Sequence, residues 1–575
     1  MERTSYWDRY WQRRMGRRRV LGGVAAGSAG LAGLALVGCG DDDDDDDSTG
    51  GTSTEVGGVR PGTATAPTPT PQGEVVKRDG VRNIRQGAPF ANISPYNGLD
   101  SGLARGLITP LYDHLWYTPL DTGIRENFLA ANIEIVDPMH FNVTMKDSVF
   151  QDKAPVNGRA VTAQDVKASF EAAAKATKIS NSSWWTQTFD HVEVPDNHTA
   201  KFFLKAVDAW GFSTTNGGSP LAGSILPEEH AKQPELMEKD LIGSGLFQFV
   251  SHENGTNFKL IRNETYREKG KPNLAGIQYK LIQEQAAAIA AFSAGEIDSV
   301  TPNNKLETDS LKQTMGDKIQ IEQELSRSVW LLQPRGDGQW ADPRVSQAIS
   351  LALDKDEMIQ LMGFGEGQKS GPVPPTFTTY ALTEQEINDT YGRFDPAEAK
   401  KLLDASGFDT SKEYSIKFIT PGDTYSQFAQ ICQSHLQKNL GLKIKLIGED
   451  FGKWLAQSLY GSDYDGFMAY PTLAYDDPSS YILAYTTEIG GRPNWAGWKN
   501  QEVNDTVIKQ RATLDDVERQ KMIKDLQKKA WEVGAPFIPT FVRITSTAYQ
   551  SWVKGRVTGR GSYGFLVGTT YIDKG

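Results

Sequence analysis

From Glu74 onward, the hydrophobic and polar positions follow two interleaved rhythms. Apolar residues three or four positions apart share one face of a helix, and alternating ones share one face of a strand. Thr162 followed by Asp165 reads as a helix start, with Val161 and Val166 placed to staple the entry and Val166, Phe170 and Ala173 on one face. Asp342-Pro343 opens a second helix that buries Val345, Ile349 and Leu353, because proline there lacks only a donor that would be unpaired anyway. Asp395-Pro396 with Glu398 opens a third, closed by Gly407. A fourth runs from about Thr424 to Leu440, stops at Gly441 and turns Phe428, Ile431, Cys432 and Leu436 inward, which makes Cys432 a buried small hydrophobe. Leu442, Ile444 and Leu446 then alternate as a half-buried strand. This interleaving predicts an α/β protein. No internal repeat is visible, and 575 residues exceed what one core usually needs.

Neither rhythm reaches the first 73 residues. Arg13, Arg14, Arg17, Arg18 and Arg19 precede a Gly/Ala/Leu-rich run from Val20 to Val37, and Leu36-Val37-Gly38-Cys39 follows. Residues 1–38 therefore read as an export signal, similar to both a bacterial lipobox and a twin-arginine leader, with Cys39 as the lipidated first residue of the mature chain. The other reading is an uncleaved basic anchor, which the short, glycine-broken apolar run disfavours. Cleavage before Cys39 removes seven arginines against only Glu2 and Asp8, so the mature chain is more acidic than the net −11 of the full sequence. Asp41–Asp47 and the Gly/Ser/Thr/Pro tract up to Gly73 have almost nothing to bury, so residues 39–73 read as a solvated tether. The acidic balance excludes a basic nucleic-acid-binding face, and two cysteines cannot build a disulfide framework.

Catalytic constellations are thin. Gly367-Gln368-Lys369-Ser370 lacks the spacing of a phosphate loop, and Gly243-Ser244-Gly245 lacks that of a nucleophile elbow. His191 and His198, the nearest histidine pair, flank a turn at Pro195-Asp196-Asn197. Asp476 and Asp477 are adjacent, so their side chains diverge rather than share one reacting bond. No enzyme, metal or cofactor is expected. Aromatic residues crowd the second half, with Trp454, Tyr464, Tyr470, Tyr475, Tyr481, Trp495 and Trp498, a supply that serves core packing or a ligand platform equally well. Trp184 and Trp185 are neighbours, and at most one is expected to be buried.

Seven short blocks, in order, resemble the large extracytoplasmic solute-binding proteins of family 5, the peptide- and nickel-type receptors of ABC importers. They are Ala160–Val166, Gly243–Phe247, Ala294–Asp298, Asp342–Ile349 with Asp354-Lys355, Gly371–Pro375, Phe394–Phe408 and Ala535–Pro539. The resemblance implies a bilobal α/β receptor that closes on its ligand about a hinge near Glu322–Leu332 and Ile538–Phe541. Its first lobe would be discontinuous, with residues 74–112, 225–321 and 538–575, carry an inserted subdomain at 113–224, and face a second lobe at 322–537. It also implies ligand contacts from Phe90, Ala91 and Asn303, while the aromatic crowding itself offers Trp454, Tyr470, Tyr475 and Trp495 as further ligand contacts. Peptide-binding members hold the ligand's ammonium with an aspartate four residues before a proline. Here that position is Ala474, counted back from Pro478, and Asp476 is the nearby carboxylate that could take over. The expectation is therefore a lipid-anchored monomeric receptor, outside the cytoplasm, that delivers a peptide to ABC importer permease subunits. A sugar or oligosaccharide receptor, a secreted glycan-acting enzyme using Asp476 and Asp477, and a sensor for a membrane kinase are the alternatives.

Overall fold

Strand β1 (Val81–Gln86) begins a sheet that the chain completes only after a long excursion. The computed structural model describes residues 76–89, 93–96, 106–117, 126–176, 184–209, 223–238, 240–253, 257–420, 422–459, 461–472, 477–485, 496–557 and 564–574. The excursion is an antiparallel sheet of β2 (Ala130–Asp137), β3 (His140–Met145), β4 (Phe189–Glu193) and β5 (Thr199–Leu204), in the order β2-β3-β5-β4, with α1 (Ala163–Lys175) between β3 and β4 in the chain. The turn expected between His191 and His198 joins β4 to β5, and Asp196 Oδ1 accepts the His198 and Thr199 amides at 2.8 Å. The chain then returns as β6 (Phe247–Glu253), β7 (Asn257–Arg262) and β8 (Gly276–Leu281), and β8 lies parallel to β1. Phe141, Val143 and Phe202 of the inserted sheet share one core with Phe247, Phe258 and Ile277 of the first.

At the seam between these sheets, Gly243 and Gly245 press against the backbone of Pro110 and Leu111, where a Cβ on Gly245 would meet the Pro110 carbonyl at 2.6 Å. Only glycine fits so close an approach. Ser244 between them donates to buried Asp113 at 2.9 Å, Ser148 donates at 3.2 Å, and Arg267 forms the ion pair. The serine that superficially resembles a nucleophile thus belongs to a structural node.

Trp184 and Trp185 depart from expectation, since both are buried, at 4% and 1% exposure. They open a π-helical turn (Trp184–Thr188) in which neighbours are not on opposite faces, so both rings enter the core with Phe170 and Phe189. The expectation of one buried and one free ring fails because neighbours take opposite faces only in a strand, not in a helical turn.

A second assembly follows, made of α2 (Gln285–Ser293), β9 (Ser299–Val300), α3 (Lys305–Met315), β10 (Ile319–Leu325), β11 (Trp330–Pro334), α4 (Pro343–Ala352), α5 (Lys355–Gly363), β12 (Gly367–Lys369), α6 (Pro396–Ser406), β13 (Glu413–Ile419), α7 (Asp423–Leu440), β14 (Lys443–Glu449), β15 (Phe467–Pro471), α8 (Gln501–Ala512), α9 (Asp516–Glu532) and β16 (Ile538–Gln550). The anticipated caps are present. Asp342 accepts the Arg344 amide and Asp395 the Glu398 amide, while Gly407 and Gly441 end α6 and α7 at φ of 69° and 70°. Cys432 is fully buried, and burial pushes its thiol well above the usual cysteine range.

Strand β16 ties the molecule together. Its first residues pair with β11 (Leu332 with Ile538, Trp330 with Phe541), its middle with β12, and its last seven with β10. The pairing with β11 slips beside Pro539, which has no amide to give the ladder, and the Thr540 hydroxyl donates to the Trp330 carbonyl there at 2.6 Å. Along β16 successive side chains enter different cores: Phe541 joins α4 and α7, Val542 joins α8 and α9, and Ala548 joins α2 and α3. The result is a two-lobed α/β fold with separate cores threaded by one strand.

Candidate functional site

Open α/β sheets bind ligands in the crevice outside the carboxyl ends of their parallel strands. Here β13, β14 and β15 run parallel, and the carboxyl end of β15 abuts the start of β11 through the Pro471–Trp330 pair. Three side chains gather at that end. The Tyr425 ring, in the first turn of α7, lies 5.7 Å from the Trp330 ring, and the Arg543 guanidinium lies 5.8 Å over the same indole. Phe428 backs the indole at 5.0 Å. Arg543 is half-buried and lies opposite Gly367 of β12, which carries no side chain to cover it. Burial lowers the pKa of Arg543, with only Tyr425 acting against that, and burial raises the Tyr425 phenol, which Arg543 partly offsets.

The aromatic residues singled out in the sequence are buried where the structure describes them. Trp454 meets Tyr470 edge to face at 5.2 Å, and both belong to a small cluster with Leu331, Leu459, Tyr464 and Met468. Gln333 organises its polar edge, donating to the Tyr464 hydroxyl at 2.8 Å and accepting from the Tyr470 hydroxyl. The Trp454 indole N–H is buried without a partner among the described residues. Tyr481 donates to the Arg327 carbonyl at 2.8 Å, and Trp498 packs against Tyr485. This is the arrangement core packing produces.

Asn303 is exposed just beyond β9, its backbone N–H donating to Glu307 Oε2 at 2.9 Å, while the neighbouring Asn304 caps α3. Cys39, Phe90, Ala91, Ala474, Tyr475, Asp476 and Trp495 lie outside the described residues. Asp477 is described, and it is already engaged. Arg519 of α9 reaches both of its oxygens, at 2.8 and 3.1 Å, and Ser479 donates its amide to Oδ1 at 2.8 Å. Both charged side chains are essentially buried, and although burial alone would raise the Asp477 carboxyl, Arg519 holds it below the usual range. Nothing in the sequence pointed to this pair, because the partners are 42 positions apart.

Two further buried charges bear on the site's surroundings. Arg511 of α8 donates to Asp208 at 2.8 Å, joining the second assembly to the stretch that follows β5. Lys355 is fully buried against the Ser350 and Arg393 carbonyls, and burial brings its ammonium down to about 7. Among the described residues, no cluster of three histidine, cysteine or acidic side chains is placed to hold a metal, and no helix is long and apolar enough to cross a membrane.

Comparison with known proteins gives a consistent answer. The family model described as "Bacterial extracellular solute-binding proteins, family 5 Middle" matches residues 156–491. The periplasmic murein peptide-binding protein MppA of Escherichia coli K12 is 22% identical over 69% of this chain and 77% of its own length. The oligopeptide-binding protein AppA of Bacillus subtilis, solved with a nonapeptide, superposes with a TM-score of 0.71 at 20% identity, covering 87% of this chain and all of that one. The binding protein AgaA of A. tumefaciens R10, solved with agropinic acid, also gives 0.71, at 21% identity over 86% of this chain and 99% of its own. With the match spanning more than half of the sequence and the two-lobed fold recurring over nearly the full length of these structures, the chain belongs to the bacterial extracellular solute-binding proteins, family 5.

Proposed function

We propose that this protein is a lipid-anchored receptor, held outside the cytoplasm through Cys39, that captures a peptide and delivers it to the permease subunits of an ABC importer without transforming it. Its membership of the solute-binding family carries this reading, and β16, which enters the core of α4 and α7 at one end and that of α2 and α3 at the other, gives it a mechanism. Ligand contacts made only when the lobes shut would drive closure about the strands near Glu322–Leu332 and Ile538–Phe541. Lobe one would comprise residues 74–112, 225–321 and 538–575 with the subdomain 113–224, and lobe two residues 322–537. Phe90, Ala91, Asn303, Trp454, Tyr470, Tyr475, Asp476 and Trp495 are the proposed ligand contacts. The protein acts as a monomer.

Peptide is favoured as the ligand because relatives of this chain are named for murein peptide and oligopeptide binding. A second reading, a sugar or oligosaccharide receptor of the same family, draws on Ala474, which offers no charge at the family's amine-anchoring position, and a structural neighbour was solved with agropinic acid in place of a peptide. Native mass spectrometry of the solute that co-purifies with the protein, followed by calorimetry with a peptide library, tests the first reading against the second. A peptide held by its amino end should lose about 2 kcal/mol or more of binding in Asp476→Asn, and equal affinity of parent and variant for every bound peptide removes that anchor. Cys39→Ala should move the protein from the membrane fraction to the soluble one, since in this reading the lipid on Cys39 holds it there. A variant that still pellets with membranes refutes the lipoprotein assignment.

A further inference from the structure

Among the described residues, buried and half-buried arginines are engaged almost everywhere. Arg159 holds Asp165 and Glu229, Arg267 holds Asp113, Arg511 holds Asp208, Arg519 holds Asp477 and Arg556 holds Glu322. Within the same set, the side chains of Arg82 and Arg543 have neither a carboxylate nor a hydrogen-bond acceptor. Arg82 lies 6.0 Å over the Tyr549 ring, in a neighbourhood where Glu322 and Glu324 also act on that tyrosine. The charge around it is therefore balanced nearby. Around Arg543 it is not, since among the described residues Tyr425 is the one titratable group that bears on it.

We propose that Arg543 is the binding residue for a carboxylate of the captured solute; this rests on the receptor reading above and specifies the ligand chemistry that reading leaves open. Three observations converge. Arg543 sits on β16, the strand that threads both lobes, opposite a glycine and at the carboxyl end of the parallel strands. Its flanks are Trp330 and Tyr425, an apolar wall beside one charged group, which is the usual make-up of a small-molecule site. It is partly withdrawn from water with no acceptor among the described residues to repay the lost hydration, and 5.8 Å from an indole centroid is the outer edge of a cation–π contact. A guanidinium presents a planar fork of N–H donors that matches a carboxylate with two parallel hydrogen bonds. The same charge repels an ammonium, so the amine end of a peptide would lie away from β16.

The test compares the full-chain parent with R543M and R543K by calorimetry and thermal melting. One arm uses acetate, succinate and glutamate, with inorganic phosphate as the competing oxyanion. The second uses a tripeptide library as free acids and as C-terminal amides. At least one carboxylate probe should bind the parent, with R543M weaker by about tenfold or more and R543K intermediate, because lysine keeps the charge but loses the fork. Binding of the carboxylates to parent and R543M alike, binding of phosphate alone, or binding of no probe in either arm would overturn the assignment. The peptide arm separates the two readings. Small carboxylates that need Arg543 while no peptide binds would leave the arginine in place and remove the peptide. Free-acid peptides that bind parent and R543M equally would keep the receptor and remove the arginine's role.

Discussion

Arg519 and Arg543 belong to the same half of the molecule and meet opposite fates. Arg519, on α9, is buried but grips both oxygens of Asp477 and donates to the Gln510 side chain as well. Arg543, on β16, is half-buried and grips nothing among the described residues. A desolvated charge with a saturated partner holds architecture together, because removing either member strands the other. A desolvated charge without one has hydration still to replace, and a ligand can replace it. Identical residue types thus divide between scaffold and site according to what the fold places against them.

The comparison breaks most readily at Asp477. Asp477→Ala should destabilise the protein by about 3–5 kcal/mol, read from urea unfolding. Adding Arg519→Met should recover part of that loss by removing the stranded cation. A cost below about 1 kcal/mol for the single variant would mean that the pair is not structural, and the contrast with Arg543 would collapse.

Lys355 sharpens the comparison from a third position, as a buried cation satisfied by carbonyls and no carboxylate. Its ammonium titrates near 7 in the folded chain against 10.5 for the free group. Between these values the unfolded chain binds the extra proton, so stability should rise with pH from about 7 upward; below that window both states are protonated and this group contributes no slope. Lys355→Met should abolish that rise, closing a gap of about 2 kcal/mol or more between pH 7 and pH 9. Parallel pH profiles for parent and variant would contradict the burial argument.

A smaller effect is expected at Arg511, whose bond to Asp208 joins parts of the chain with different cores. Arg511→Ala should cost about 1–3 kcal/mol and enlarge the radius of gyration measured by solution scattering without added solute. An unchanged radius would confine the pair to local stability. Smallest of all is Arg543→Met in the absence of ligand, expected to be neutral or stabilising by up to about 1 kcal/mol in thermal melts, since it deletes an uncompensated charge. A clear loss of stability would show that Arg543, like Arg519, already serves the scaffold.

Local features are legible in the residue order. The caps at Asp342 and Asp395, the left-handed glycines 407 and 441, and the inward face of α7 with Cys432 depend on contacts within a few residues, so spacing alone displays them. Trp184 and Trp185 escape such a reading because a π-helical turn has no spacing signature of that kind. Among the proposed ligand contacts, Trp454 and Tyr470 stand out as aromatic, but their mutual packing sets a helical turn against β15, and Gln333 between Tyr464 and Tyr470 comes from β11, 131 and 137 positions away. Arg543 leaves one faint trace, a lone charge within the apolar run Ile538–Ile544.

Sequence by itself determined the α/β class, the starts of four helices with the ends of two, and the family, because hydrophobic period, capping chemistry and ordered motif blocks are properties of neighbouring residues. Tertiary structure alone decided which charges are spent. Asp477 lies 42 positions from Arg519, and Arg543 reaches Trp330 and Tyr425 only because β16 pairs with β11 across the sheet. A side chain's partner is set by where distant strands and helices converge, and its solvation follows from that convergence, so no local pattern could record that one guanidinium is saturated and the other without an acceptor among the described residues.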